Sequence, residues 1–318
     1  MRSSSLLLAG LLALSNAAVL PSAEDFSSLE IRKGGGGDDK GGSSGSGGGS
    51  GKCPDVWGRV NADLNPLFMV GNQCNDLARA AIRAIFHDCG SWDTSQGFSG
   101  GCDGSLVLGV NPDIELNRAE NRGLQAVAKV LKDLAAKHNV PVADMIVFAG
   151  NAAIFLCPGG PKVRTYIGRT DTTNSAKPGG LPDVFDTAQN LFSLFQAKGY
   201  GAEDLAALLG AHSTSTQNFV DETKKNASQD STPGQWDVSY YKETYDFATK
   251  KTAAPGVFVF PSDEKLATQT DVGKKFQGFI GNQNKWASSF QNAMEKMALF
   301  GNNKGSMADC TDSIQKLQ

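Results

Sequence analysis

The chain has 318 residues, enough for one large domain or two smaller ones. Its 40% hydrophobic and 20% charged content is ordinary for a chain that buries a core. The formal net charge of −3, with the positive charges scattered, leaves no clustered basic surface and sets nucleic-acid binding aside.

In chain order, residues 1–17 read as a signal peptide. Arg2 is the basic start, Leu6–Leu14 the apolar run, and Ser15-Asn16-Ala17 the small residues a peptidase accepts. An amphipathic first helix is the alternative, but the run has no polar face. The expectation is a secreted, extracellular protein. No later stretch approaches the roughly 20 apolar residues needed to span a bilayer, so no membrane association is expected. Residues 18–52 form a linker or pro-segment. From Gly34 to Gly51 they are only Gly, Ser, Asp and Lys, a composition that cannot offset its own ordering entropy. Arg32-Lys33 offers a dibasic processing site. The remaining 53–318 read as one domain holding all six cysteines, Cys53, Cys74, Cys89, Cys102, Cys157 and Cys310. An even count in an exported chain favours three disulfides, and zinc is a poor alternative because no CxxC pair exists.

Helical periodicity dominates this domain. Asp76–Phe86 places Leu77, Ala81, Ile82 and Ile85 on one face, and Gly123–His138 places Leu124, Val127, Leu131 and Leu134 opposite its lysines. Ala143–Phe155 is an apolar run too long for a typical strand. Phe185–Ala197 repeats Leu191, Leu194 and Phe195, and Ala202–His212 opens with Glu203 and Asp204, as a helix N-terminus favours. Trp286, Phe290, Ala293, Met294 and Met297 predict a last amphipathic helix. Arg164–Ile167 and Val257–Phe260 are short strands at most. The fold class is all-α with long loops.

Arg83 and His87, four apart, project from one helix face. A neutral imidazole beside a fixed cation suits peroxide heterolysis. The base moves a proton from one oxygen to the other, and the guanidinium stabilises the charge on the leaving oxygen. Alone, such a pair is more often a solvated helix face. The neighbouring residues change the odds. Asp88 precedes Gly100-Gly101-Cys102-Asp103-Gly104-Ser105, and the Asp88, Asp103 and Ser105 side chains with the Gly101 carbonyl supply most of a calcium shell. Cys89 and Cys102 bracket that loop.

The segments RAIFHDC, GGCDGS, ENRGL, KHNVPVADMIVFAG, LCPGGP, LLGAHS and DSTPGQWD succeed one another between Cys74 and Asp263. In these motifs and their order the chain resembles the plant-type haem peroxidase superfamily, and within it the secreted fungal, ligninase-like (class II) branch. The resemblance implies a fold of about ten or more helices, with haem b between a distal and a proximal half, and two calcium ions. It implies Arg83 and His87 as distal catalysts, Phe86 as the aromatic beside them, and Asn121 as the acceptor that fixes the His87 tautomer, held with help from Glu115. Of the three histidines, His138 ends a Lys-rich helix and reads as solvated. His87 is committed to the distal role, so His212 is left as the axial iron ligand. Asp263 would take its other ring N–H, although a Pro-Ser-Asp turn also fits a helix N-cap. Ser213, Asp230, Thr232, Gln235 (through its backbone) and Asp237 would hold the proximal calcium. A polar turn fits that composition too.

The resemblance pairs Cys74 with Cys157, as in the fungal branch, and Cys89 with Cys102, as in secreted plant enzymes; Cys53 and Cys310 remain for each other. Asn226-Ala-Ser is a glycosylation sequon. Departures from the lignin-active branches bear on the substrate. The manganese carboxylates fall on Asp76, Ala80 and Asn218, the surface tryptophan of high-potential enzymes falls on Ala207, and an aromatic before the DST motif is Gln229. Trp57, Trp92, Trp236 and Trp286 remain as candidate surface relays, but each reads better as ordinary packing. The expected function is reduction of hydrogen peroxide with oxidation of small phenolic or aromatic donors at the haem edge, by a monomer. The alternatives are a non-catalytic haem- and calcium-binding relative, or an enzyme of the intracellular type, similar to cytochrome c or ascorbate peroxidases.

Overall fold

The computed structural model describes residues 51–94 and 100–317. The expected signal peptide, and the 18–52 segment apart from Gly51 and Lys52, lie outside the described residues.

Among these residues are eleven α-helices: α1 (Val56–Phe68), α2 (Asp76–Cys89), α3 (Ser105–Leu108), α4 (Gln125–His138), α5 (Val142–Leu156), α6 (Ala188–Ala197), α7 (Ala202–Leu209), α8 (Ser239–Lys250), α9 (Pro261–Thr268), α10 (Val272–Gln277) and α11 (Gln283–Ala298). Three two-residue antiparallel ladders accompany them, two of them local and one between distant loops. β1 (Met69–Val70) pairs with β2 (Gln73–Cys74), β3 (Tyr166–Ile167) with β6 (Ala308–Asp309), and β4 (Thr216–Gln217) with β5 (Ala227–Ser228). The all-α expectation holds. Arg164–Ile167 contributes half of a ladder, whereas Val257–Phe260 makes only a single bridge, from Val257 to Ser228.

α2 starts where Asn75 caps it, its side chain accepting from Ala78 N at 3.1 Å, with Asp76 in the first turn to complement the helix dipole. Its apolar face is buried against α5, as the periodicity predicts, but the helix runs on through His87 to Cys89. α5 is buried around its whole circumference, which explains a hydrophobic run without a polar stripe. Gly150 permits the close α2–α5 approach: a Cβ there would lie 3.0 Å from the Ile85 side chain. α1, α2, α4 and α5 pack together around the distal segment, and α7–α11 around the proximal one. α7 ends at Leu209, and a 3-10 turn, Gly210–Thr214, carries His212 onward.

The Arg169 guanidinium and Asp144 carboxylate form a buried pair at 2.8 Å. Backbone N–H groups of Gly168 and Arg169 also donate to Asp144, and Arg169 donates to the carbonyls of Tyr166 and Ala298. These bonds tie the start of α5 to β3 and the end of α11, and pair a buried charge that is costly when left alone, although Arg169 Nε itself has no partner. All six cysteines are paired. Cys53–Cys310 joins the two ends of the domain, Cys74–Cys157 ties the approach to α2 to the end of α5, and Cys89–Cys102 closes the loop before α3. Among the described residues no single helix is long and apolar enough to cross a membrane.

Candidate active site

α2 presents Arg83 and His87 one turn apart, with Arg83 Nε 3.1 Å from His87 Nε2. His87 Nδ1 lies 2.7 Å from Asn121 Oδ1, and Asn121 Nδ2 donates to the Glu115 carbonyl at 2.8 Å. That chain fixes the Asn121 amide with its oxygen toward the ring. Nδ1 therefore carries the proton, and the Nε2 lone pair accepts from Arg83. Burial pushes the His87 pKa down from 6.5 to about 3, the Arg83 charge lowers it further, and the Asn121 bond opposes the shift. The imidazole is neutral at ordinary pH. Arg83, lowered by burial to about 10, stays cationic there and is held by the carbonyls of Arg122 and Glu120 at 2.8 and 2.7 Å. Phe86 meets the His87 ring edge-on at 5.6 Å and stacks with Phe195 of α6. Glu115 acts through its backbone; its carboxylate instead accepts from Ala176 N at 2.6 Å. A small cavity adjoins His87, lined also by Asn121, Arg118, Lys177 and Gly180. A larger surface cavity beside the Cys53–Cys310 bridge involves neither His87 nor His212.

On the proximal side, His212 Nδ1 donates to Asp263 Oδ2 at 2.7 Å. Asp263 sits in the first turn of α9 but does not cap it; the N-cap residue is Phe260. The same Oδ2 accepts from the Tyr240 hydroxyl at 2.9 Å, a partner the sequence did not signal. The Phe260 ring also meets His212 edge-on, at 5.4 Å. No partner takes His212 Nε2 among the described residues, and the side chain is 32% exposed although Gly210, Ser213 and Thr214 around it are buried. An imidazole that donates from one nitrogen to a carboxylate and leaves the other without a partner is the donor set that haem iron takes.

Two oxygen clusters lie next to these histidines. In the first, buried Asp88 accepts from Gly104 N and Leu106 N, both at 3.1 Å, and Asp103 accepts from Ser105 N at 3.0 Å. The Ser105 hydroxyl is buried without a partner. Burial, then the Asp103 charge, holds the Asp88 carboxyl well above its ordinary range. Gly101 has φ +106°, and a Cβ there would strike the Phe300 carbonyl at 2.7 Å, so the turn requires glycine. In the second cluster, Ser213 Oγ and Asp230 Oδ2 are both buried without partners. Thr232 Oγ1 donates to Asp237 Oδ2 at 2.8 Å, and Gln235 N donates to the Thr232 carbonyl at 2.9 Å. Burial, with Asp237 and Glu243 nearby, raises the Asp230 carboxyl to about 8. Orphaned buried hydroxyl and carboxylate oxygens with crowded negative charge are what a bound hard cation resolves. Among the described residues no three His, Cys, Asp or Glu side chains group as a metal site. Both clusters depend on hydroxyls and carbonyls, as calcium allows.

His138 is not solvated: its Nε2 lies 2.6 Å from Asp63 Oδ2 of α1, and its side chain is 8% exposed. The position of the expected surface tryptophan, Ala207, is buried, and its carbonyl accepts from Trp286 Nε1 at 3.0 Å. Asp76 is exposed and paired with Arg79 at 2.9 Å. Gln229 is buried with its Nε2 unpartnered. Asn226 is exposed on the β4–β5 connection.

The family model described as Peroxidase matches residues 60–282. A ligninase of Phanerodontia chrysosporium, LG6, is 33% identical over 276 residues, 81% of this chain and 74% of its own. A low-redox potential peroxidase of Taiwanofungus camphoratus is 33% identical over 81% of this chain and 76% of its own. The versatile peroxidase VPS1 of Pleurotus eryngii is 28% identical over 79% of this chain and 72% of its own.

Proposed function

Since the chain belongs to the peroxidase family, a haem-dependent oxidoreductase that uses hydrogen peroxide to oxidise aromatic donors, we propose a division of labour among its residues. The observation that carries it is the pair of hydrogen-bond chains, Arg83–His87–Asn121–Glu115 on one side and His212–Asp263 on the other. His212 Nε2 would hold the iron of haem b, and bound haem supplies the site where peroxide is reduced and from which donors are oxidised. His87 Nε2, neutral and directed by Asn121, takes the proton of incoming peroxide and returns it to the departing oxygen. Arg83 stabilises the charge on that oxygen, and the two carbonyls behind it hold the guanidinium in position. Phe86 shields the base. Asp263 holds the His212 ring by its N–H and supplies negative charge behind it.

Asp88, Gly101, Asp103 and Ser105 would bind one calcium ion, and Ser213, Asp230, Thr232, Gln235 and Asp237 a second. Their partnerless buried oxygens support this. Each site adjoins a working histidine, so each ion would rigidify the backbone that aims it. The three disulfides favour an oxidising, extracellular location, where Asn226 would carry glycan. The donors we assign are small phenols and related aromatics. The deciding experiment is the Soret spectrum of the purified holoprotein before and after peroxide: a haem band that shifts and then returns on adding a phenol is expected. A haem band indifferent to peroxide would defeat this reading.

A further inference from the structure

We propose that Tyr240 is an internal one-electron donor to the peroxide-oxidised haem, with Asp263 as its proton acceptor and Tyr241, Trp286 and Trp236 as the onward path. The proposal rests on the peroxidase reading above and adds a route by which oxidising equivalents leave the haem through the protein.

Tyr240 lies on α8, fully buried, with its ring edge-on to His212 at a centroid distance of 5.9 Å. Its neighbour Tyr241 meets it at 5.2 Å, Tyr241 meets Trp286 of α11 at 5.6 Å, and Trp286 stacks on Trp236 at 5.4 Å, tilted by 10°. Phenol and indole rings give up an electron far more easily than phenylalanine rings, and these four are continuous from the His212 ring through the core to Trp236. Packing alone does not require the hydroxyl at 240. A buried hydroxyl must find a partner, and the partners differ along the path. Tyr241 donates to the carbonyls of Ala206 and Ala207, and Trp286 donates to the carbonyl of Ala207. Only Tyr240 donates to a carboxylate, Asp263 Oδ2, at 2.9 Å.

That difference decides which ring is oxidised first. When the electron leaves Tyr240 for the haem, its O–H bond breaks and the proton moves to Asp263 Oδ2. The products are a neutral phenoxyl radical and a haem centre reduced by one equivalent. A carbonyl cannot hold that proton, so oxidation elsewhere on the path leaves a positive charge in a dry interior. The radical is quenched when an electron from an external donor reaches it along the neighbouring rings, and the proton returns from Asp263. With donor absent, the equivalent resides in the aromatic chain instead of on the haem.

The test mixes holoprotein with one equivalent of hydrogen peroxide, without donor, and freezes it for electron paramagnetic resonance. An organic radical that narrows when the protein is grown on ring-deuterated tyrosine is expected. Tyr240→Phe should abolish that signal, and Tyr245→Phe, on the same helix, should keep it. A signal that survives in Tyr240→Phe, or one indifferent to tyrosine deuteration, overturns the proposal. So does the lack of any organic radical in protein whose Soret band has responded to peroxide. A Soret band that does not respond at all overturns the peroxidase reading, and this inference with it. The deuteration arm uses the unmodified chain, so it stands even where the substitution disturbs folding.

Discussion

The Asn121 side-chain oxygen lies 2.7 Å from His87 Nδ1, while its amide nitrogen donates to the Glu115 carbonyl, so the amide cannot turn without losing both bonds. The proton on Nδ1 is thereby fixed, and Nε2 is kept as a base. His87→Ala should retain haem but slow the reaction with peroxide by about 10²–10⁴-fold, the loss typical of a missing acid–base group. Asn121→Leu keeps similar bulk but frees the tautomer, and should give a smaller loss in the same direction. Stopped-flow recording of the Soret change measures both; a near-normal rate in His87→Ala would remove His87 as the base.

The acid limit of the reaction depends on the same residue. Burial and Arg83 hold the His87 pKa at about 3, against the ordinary 6.5. The base stays neutral as pH falls through 6.5, so the peroxide rate should be flat there and decline only toward pH 3. Stability has the corresponding sign. Between those values the unfolded chain binds a proton that the folded one refuses, so this group's contribution is full above 6.5 and is lost as pH falls toward 3. A rate that halves near pH 6.5 would contradict the buried neutral imidazole.

Ligation separates the other two histidines. His212→Ala removes the imidazole whose Nδ1 donates to Asp263 and whose Nε2 has no partner among the described residues, so the Soret band of the holoprotein should be lost. His138→Ala breaks the contact to Asp63 and should cost some stability, but the Soret band should be unchanged. An intact haem spectrum in His212→Ala would end the assignment.

Much of this site was legible because its key pairs are local. Arg83 and His87 share one helical turn, and Asp88 lies within twenty positions of Asp103 and Ser105 in a glycine-rich stretch, so spacing and residue chemistry suffice. The Asn121 and Asp263 contacts bridge 34 and 51 positions and were reachable only through the order of motifs. Tyr240 carried no signal, because Ser239–Lys250 is a polar-aromatic stretch whose burial comes from α9 and α10, helices the periodicity also missed. His138 read as solvated from its lysine neighbours, since Asp63 lies 75 residues away. That Ala207 lies beneath Trp286 of α11 had no local signal, since the two are 79 positions apart.

Calcium content and stability should change together. The oxygens of Ser105, Ser213 and Asp230 that lack partners belong to the folded chain alone, so a cation bound there would raise the melting temperature by mass action. Prolonged chelation should lower the melting temperature and disturb the haem band, and calcium should restore both. Asp230→Asn should remove one ion of two and leave the distal one. Elemental analysis finding no calcium in active protein would dismiss both sites.

Donor preference depends on what each entry route would require. A manganese relay needs clustered carboxylates, but the corresponding positions are Asp76, Ala80 and Asn218, and Asp76 is already paired with Arg79. Oxidation of a bulky non-phenolic aromatic at the surface needs an exposed oxidisable ring. Here Ala207 is buried, and Trp57, Trp236 and Trp286 lie in the core. The Tyr240 path leads inward to Trp236, which is itself buried, so it does not supply that surface ring. Donors therefore have to reach the haem edge, and access by size favours simple phenols over polymers. Kinetics on a phenol, a non-phenolic aromatic alcohol and Mn²⁺ should show efficient, saturable turnover of the first alone. Saturable oxidation of Mn²⁺ would require a carboxylate site assembled from other residues. Saturable oxidation of the alcohol would require a surface relay, and its loss in Trp236→Phe would place that relay at the end of the aromatic chain.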